Sequence, residues 1–207
     1  MLIRFILVFC AFFSLSALAK ANDPVLLVVG DSLSAGYGIE RSKGWVELLQ
    51  RKLQTLGYRY SVVNASISGD TTTNGQYRLA ALLEKHQPEW VLIELGGNDG
   101  LRGVQVPASK AALNKMIEQV QQQSRKVMLI GIELPPNYGE LYNNAIRQMF
   151  VELATQHQLP FLPFLLAGVA ENEGWVQADG IHPTEAAQPT ILENVWLILE
   201  PTLEKTE

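Results

Sequence analysis

The chain contains five short apolar runs that are continuous rather than alternating with polar residues. Runs of this kind are typical of parallel strands that other elements cover on both faces. We therefore predict strands at residues 25–29, 61–63, 90–95, 127–132 and 161–162.

Amphipathic stretches lie between these runs and predict helices. Ser42 is placed to cap a helix whose apolar residues recur with a helical period up to Gly57. Pro107 suits the first position of a second helix, where the backbone N–H has no partner within the helix. Pro189 leaves open whether the last helix starts late or is kinked. Three further helices are predicted at residues 73–85, 140–157 and 190–203.

Predicted strands and helices alternate about five times along the chain. This order predicts an α/β fold, a three-layer α/β/α sandwich around a five-stranded parallel sheet. In open sheets of this kind, ligands bind at the carboxyl ends of the strands. Residues that directly follow a predicted strand are therefore the first candidates for chemistry.

Residues 1–21 have the pattern of a secretory signal peptide. Arg4 precedes an apolar stretch at residues 5–19, and small residues suited to cleavage end at Ala19 or Ala21. The alternative is an uncleaved anchor, but crossing a bilayer takes about 18 or more apolar residues. We expect a periplasmic or secreted protein whose mature part, residues 22–207, is one domain without a membrane span.

The charge and the cysteine content reduce the range of partners and sites that we expect for the mature chain. Cleavage after Ala21 leaves 14 basic and 21 acidic residues, a net charge of −7, which argues against nucleic-acid binding. The only cysteine, Cys10, is lost with the signal segment, so no disulfide or thiolate site is expected. The mature chain also lacks the H-E-x-x-H pattern of many zinc hydrolases.

A candidate nucleophile follows the first predicted strand. The sequence Gly-Asp-Ser-Leu-Ser places Ser32 at the ligand-binding edge of the sheet. The alternative is a simple turn in which Asp31 or Ser32 caps a helix. A serine hydroxyl reacts only when a neighbouring base takes its proton, so the interpretation depends on a base.

His182 is the candidate base. It lies in Asp-Gly-Ile-His-Pro, after the last predicted strand, and Asp179 precedes it by three residues. This spacing lets the Asp179 carboxylate accept from Nδ1–H, so that Nε2 remains free for the serine proton. The alternative is a turn with a capping aspartate. The other histidines, His86 and His157, fall at the ends of predicted helices, where a solvated role is expected.

Acyl transfer also needs donors for a developing oxyanion. Asn98 follows the third predicted strand, and its amide is a neutral donor that does not titrate. Gly69 follows the second and offers a backbone N–H that no side chain blocks. Asn98 and Gly69 could each belong to an ordinary turn. The four signals in the sequence, however, fall at the ends of different predicted strands on one edge of the sheet. They are the segments of Ser32, Gly69, Asn98 and His182.

These motifs resemble the four blocks of the SGNH, or GDSL, hydrolases: GDSLS, NASISGD, GGND and DGIHP, in that order. The resemblance extends over nearly the whole mature chain, including ELGGNDGLRG and LPPNYG, and is strongest to bacterial exported members with acyl-CoA thioesterase, arylesterase and lysophospholipase activity. It implies a flavodoxin-like sheet and a triad of Ser32, His182 and Asp179. It also implies an oxyanion hole from the N–H groups of Ser32 and Gly69 and the Asn98 side chain, and no cofactor.

Apolar loop residues at the same edge suggest an acyl groove. Leu101 follows the Asn98 turn, while Leu134, Pro135 and Tyr138 follow the fourth predicted strand. The alternative is that they only seal loops against the domain. The expected substrates are small acyl esters, acyl thioesters or lysophospholipids, and the enzyme is expected to act as a monomer.

Two other functions remain open at this point. A carbohydrate esterase on the same scaffold would keep the chemistry and change the substrate to acetylated sugars. A flavodoxin-like binding module would bind a phosphate or flavin without catalysis, although the phosphate-binding glycine pattern is poor.

Overall fold

A computed structural model describes residues 23–205, and the expected signal segment at residues 1–21 lies outside the described residues. Five parallel strands form the sheet, as the apolar runs predict. The strands are β1 (Val25–Gly30), β2 (Ser61–Asn64), β3 (Trp90–Glu94), β4 (Lys126–Ile130) and β5 (Phe161–Leu162).

The strand order is β2-β1-β3-β4-β5, which places β1 and β3 at the centre of the sheet. Val28 lies opposite Leu92, and both side chains are fully buried. Continuous burial of β1 and β3 explains why their sequences are apolar at successive positions rather than at alternate ones. Because β1 pairs in parallel with both β2 and β3, the carboxyl ends of the three strands meet at one edge of the sheet.

Seven α-helices lie between and after the strands within residues 23–205. They are α1 (Ser32–Ala35), α2 (Trp45–Thr55), α3 (Thr72–His86), α4 (Gly97–Leu101), α5 (Val106–Gln121), α6 (Glu140–His157) and α7 (Gln188–Leu199). Helices α2 and α7 pack together, and α3, α5 and α6 form a second group. The fold is the predicted three-layer α/β/α sandwich. No helix of the described chain is long and apolar enough to span a membrane.

The structure corrects the predicted start of α2 and resolves that of α7. The residue that caps α2 is Gly44, whereas Ser42 lies in a preceding 3₁₀ turn and its hydroxyl donates to the Glu40 carboxylate. An N-cap residue must directly precede the first helical residue, and Ser42 stands too early. Pro189 occupies the second position of α7, where its missing N–H costs no hydrogen bond within the helix.

Candidate active site

The sharp turn after β1 positions Ser32. The Asp31 carboxylate accepts from the Leu33 N–H and caps α1, so Ser32 becomes the first helical residue at the edge of the sheet. Gly30 is required because a Cβ atom there would lie 2.6 Å from Glu94 Oε2. Because the end of β1 packs this closely against Glu94 of β3, the turn that carries Ser32 begins at Gly30.

His182 lies between Ser32 and Asp179. Its Nε2 is 2.9 Å from Ser32 Oγ, and its Nδ1 is 2.7 Å from Asp179 Oδ2. The other oxygen of Asp179 accepts from the backbone N–H groups of His182 and Ile181. These hydrogen bonds and the one from the imidazole lower the pKa of Asp179 to about 2. The carboxylate therefore stays ionised and holds the imidazole with Nε2 toward the serine.

Tyr37 and Gln177, which sequence reasoning missed, hold the loop that carries His182 against the segment that carries Ser32. The Tyr37 ring packs on the His182 imidazole, with the ring centres 4.4 Å apart. The Gln177 side-chain amide donates to the carbonyls of Tyr37 and Pro183, and its backbone N–H donates to the His182 carbonyl. Gln177 thus joins two loops that lie about 140 residues apart in sequence.

The three expected oxyanion donors lie on the segments that follow β1, β2 and β3. Within residues 23–205, the N–H groups of Ser32 and Gly69 donate to no protein acceptor. Gly69 has a φ of +83°, a backbone conformation that residues with a Cβ atom rarely adopt. Asn98 Nδ2 donates to Asp31 Oδ2 at 2.9 Å, which fixes the amide beside the serine and leaves its second N–H for a ligand.

Arg78 of α3 holds the loop that carries Gly69, another role that no sequence pattern indicated. Its guanidinium donates to the Asp70 carboxylate at 2.7 Å and to the carbonyls of Ala65 and Gly30. It therefore ties the end of β1 to both ends of the loop after β2.

Two buried carboxyl groups, Asp31 and Glu94, lie behind the serine. Glu94 Oε2 accepts from the Asp31 N–H and from the Ser34 hydroxyl, and Glu94 is fully buried. Burial raises the pKa of Asp31 to about 6 and, together with the negative charge of Asp31, raises that of Glu94 well above its usual value. Of the two groups, Asp31 is the one whose carboxyl oxygen accepts from the Asn98 amide.

The ionised Asp31 should lower the stability of the fold at high pH. Because burial raises its pKa from 3.8 to about 6, stability is lost as pH rises through this interval, by roughly 2 kcal/mol between pH 4.5 and pH 8. We expect Asp31→Asn to remove most of this loss. Urea unfolding of both proteins at the two pH values measures it. Asp23→Asn, at an exposed position, is the control, and equal pH dependence in Asp31→Asn and wild type would contradict the expectation.

An apolar cavity of about 350 Å³ opens at Ser32 and His182. Leu101, Leu134 and Pro135 line it, as expected of an acyl groove. Tyr138 does not; its hydroxyl donates to the Leu101 carbonyl instead. Sequence reasoning missed the other apolar residues of the cavity wall, most of which follow β5 at the same sheet edge. They are Ile132, Pro136, Phe164, Leu166, Val169, Val176 and Ile181.

Within residues 23–205, no group of three or more His, Cys, Asp or Glu side chains is arranged to hold a metal ion. The groups that the structure places at this edge are the Ser32 hydroxyl, the His182 imidazole, the Asp179 carboxylate and the Asn98 amide. A parallel α/β sheet with these groups beside an apolar cavity defines a class of protein, the α/β hydrolytic enzymes.

Comparisons with known proteins identify the family within this class. The model of the GDSL-like lipase/acylhydrolase family matches residues 28–188. Esterase TesA of Pseudomonas aeruginosa is 52% identical over 184 residues, which cover 89% of this chain and 92% of that protein. Thioesterase 1/protease 1/lysophospholipase L1 of Escherichia coli K12 is 46% identical over 183 residues, 88% of this chain and 86% of that protein.

A solved structure agrees with these relatives. The psychrotrophic esterase EstA of Pseudoalteromonas, inhibited by monoethylphosphonate, superposes with a TM-score of 0.83 at 36% identity and covers 87% of this chain and 98% of its own. The chain belongs to the GDSL-like lipase/acylhydrolase family. It is an ester-hydrolysing enzyme.

Proposed function

We propose that the enzyme cleaves acyl esters and acyl thioesters through an acyl-enzyme intermediate, with Ser32 as the nucleophile. The observation that carries the proposal is the line of contacts from Ser32 Oγ through the His182 imidazole to Asp179, at 2.9 and 2.7 Å. The phosphonate-inhibited relative supports it, because phosphonates are inhibitors that resemble the tetrahedral stage of acyl transfer.

The geometry supports a two-stage reaction. Ser32 Oγ attacks the substrate carbonyl carbon while His182 Nε2 takes the hydroxyl proton. The carbonyl oxygen becomes an oxyanion that accepts from the N–H groups of Ser32 and Gly69 and from Asn98. The intermediate collapses, and the leaving alcohol or thiol takes the proton from His182. Water then repeats the sequence on the acyl-enzyme and releases the acid and the free serine.

The apolar cavity supports an acyl chain as the group transferred to Ser32. Leu101, Leu134 and Phe164 face the same space, and a medium-length alkyl chain there would be removed from water. A sugar would need several polar partners in the wall, whereas most wall residues are apolar. The carbohydrate esterase therefore remains the second candidate, and family membership argues against a binding module without catalysis.

The length of the acyl chain tests this assignment. We expect kcat/KM on p-nitrophenyl esters to rise from acetate to medium chains by up to about fourfold per methylene, because each contributes up to ~0.8 kcal/mol of burial. Leu134→Ala should flatten the rise, since it removes part of the wall. The matched control is Leu141→Ala, an exposed leucine outside the cavity. An optimum at acetate that Leu134→Ala leaves unchanged would favour the carbohydrate esterase.

We also propose that the enzyme works after export, with residues 1–21 removed as a signal peptide. Support comes from the sequence pattern of that segment, which lies outside the described residues. Its proposed substrates are small acyl esters, acyl thioesters and lysophospholipids. Action as a monomer stays a prediction.

A further inference from the structure

His182 lies on a long loop with little regular secondary structure. The loop covers residues 163–184, between β5 and the 3₁₀ turn Glu185–Ala187. Loops longer than about 12 to 15 residues are uncommon in compact domains, and alternative conformations concentrate in them. Nε2 of His182 nevertheless lies 2.9 Å from Ser32 Oγ. Proton transfer at this distance requires contacts that fix the loop against the segment after β1.

Backbone hydrogen bonds give the end of this loop its shape. The Gln177 N–H donates to the His182 carbonyl at 2.8 Å, and the Gln177 carbonyl accepts from the Gly180 N–H at 3.0 Å. Val176 and Pro183 form an antiparallel bridge around the same turn. All of these contacts lie within the loop, so they shape the turn without joining it to the segment after β1.

The Gln177 side-chain amide makes that connection. Its Nε2 has two hydrogens and donates to the carbonyls of Tyr37 and Pro183, at 2.9 and 3.0 Å. Gly38 leaves room for this approach, because a Cβ atom there would overlap the Gln177 amide. The Tyr37 ring packs on the His182 imidazole and adds a second contact. One amide therefore connects the loop of the proposed base to the segment of the proposed nucleophile.

We propose that Gln177 is a positioning residue, whose side-chain amide holds His182 at the distance from Ser32 at which the proton can be transferred. The inference rests on the proposed role of His182 as the base and adds the residue that keeps the base in place. Within the described chain, Gln177 is not part of the acyl cavity wall. Its loss should therefore slow proton transfer and leave acyl binding unchanged, since a displacement of about 1 Å can cost on the order of 10²-fold in rate.

Gln177→Met tests the role of the amide, because it keeps the length of the side chain and removes both N–H donors. We expect kcat on p-nitrophenyl butyrate to fall roughly 10- to 100-fold, with KM little changed. Gln177→Glu is a second variant of the same shape, and its ionised carboxylate cannot donate to either carbonyl. It should lose at least as much. Unchanged kcat in both variants, or a rise in KM alone, would overturn the proposal.

Gln50→Met is the matched control. Gln50 is also half-buried and joins two segments, since its amide donates to the Tyr60 carbonyl and accepts from the Val62 N–H. It is likewise outside the wall of the cavity. Gln50→Met should lower the urea midpoint of unfolding and keep wild-type kcat. An equal fall in kcat in Gln50→Met and Gln177→Met would show a general structural effect and overturn the specific role of Gln177.

A double-mutant cycle separates an effect through His182 from a loosening of the whole site. If Gln177 acts through His182, Gln177→Met should not lower the residual activity of His182→Ala any further. In Asn98→Ala, which keeps the histidine, its full effect should remain. Losses that multiply in both backgrounds would overturn the proposal. Near-normal activity of His182→Ala itself would instead show that the proposed function has failed.

Discussion

Ser32→Ala, His182→Ala and the double variant are expected to lose the same activity, on the order of 10⁵ to 10⁶ in kcat. The reason is that His182 Nε2, at 2.9 Å, takes the Ser32 proton as the oxygen attacks, so that neither group works alone. Steady-state kinetics on a p-nitrophenyl ester measure the three losses. Losses that multiply in the double variant would show that the two residues act independently.

Neighbouring residues of the same type provide the controls. Ser34 stands two residues after Ser32, but its hydroxyl donates to Glu94 instead of facing the histidine. His157 ends α6 and contacts Asn114. Ser34→Ala and His157→Ala should keep most of the activity and remain open to labelling by a fluorophosphonate, whereas Ser32→Ala should not be labelled. Asp179→Ala should lose less than His182→Ala, because the carboxylate orients the imidazole without transferring a proton.

The sheet could be predicted from the sequence because burial on both faces leaves a simple signal. Residues 26–29 and 91–93 are all fully buried and all apolar, so each run indicates a central strand by itself. The start of α2 was less predictable, since Ser42 and Gly44 are both common near helix starts. There the geometry of the preceding turn, which local sequence does not specify, decides which residue caps the helix.

Much of the candidate site could be predicted because its residues follow strands. Ser32, Gly69 and Asn98 come after β1, β2 and β3, and parallel strands bring their carboxyl ends to one edge. Predicting His182 as the base needed a second signal in the sequence, Asp179 three residues before it. The structure brings these residues into contact distance or onto adjoining loops, while their catalytic roles stay proposals.

The supporting contacts could not be predicted, because each joins residues that are distant in sequence. Nothing near Gln177 indicates that it donates to Tyr37, and nothing near Arg78 indicates that it reaches Gly30. The cavity wall after β5 is a different case. It obeys the same edge rule as the serine, but β5 has only two residues, so the apolar segment after it was not recognised as part of the site.

A hydrogen bond to Asp31 fixes the orientation of the Asn98 side-chain amide. One hydrogen of its amide is bound by Asp31 Oδ2, a buried carboxylate, so the group cannot rotate freely. A donor that is oriented before the reaction stabilises the oxyanion without the cost of reorganisation. The effect of removing it should therefore appear in the transition state and not in substrate binding.

Asn98→Ala is expected to lower kcat by roughly 10² to 10³ with KM little changed, since one oxyanion donor typically contributes ~2.7 to 4 kcal/mol. An alkyl boronic acid, which forms a tetrahedral adduct on the serine with a negative oxygen, should lose affinity by a similar factor. Binding of the fatty acid product should not change. Asn144→Ala, on the exposed face of α6, is the control and should behave as wild type. Near-normal kcat in Asn98→Ala would remove this amide from the mechanism and leave the oxyanion to the backbone N–H groups of Ser32 and Gly69.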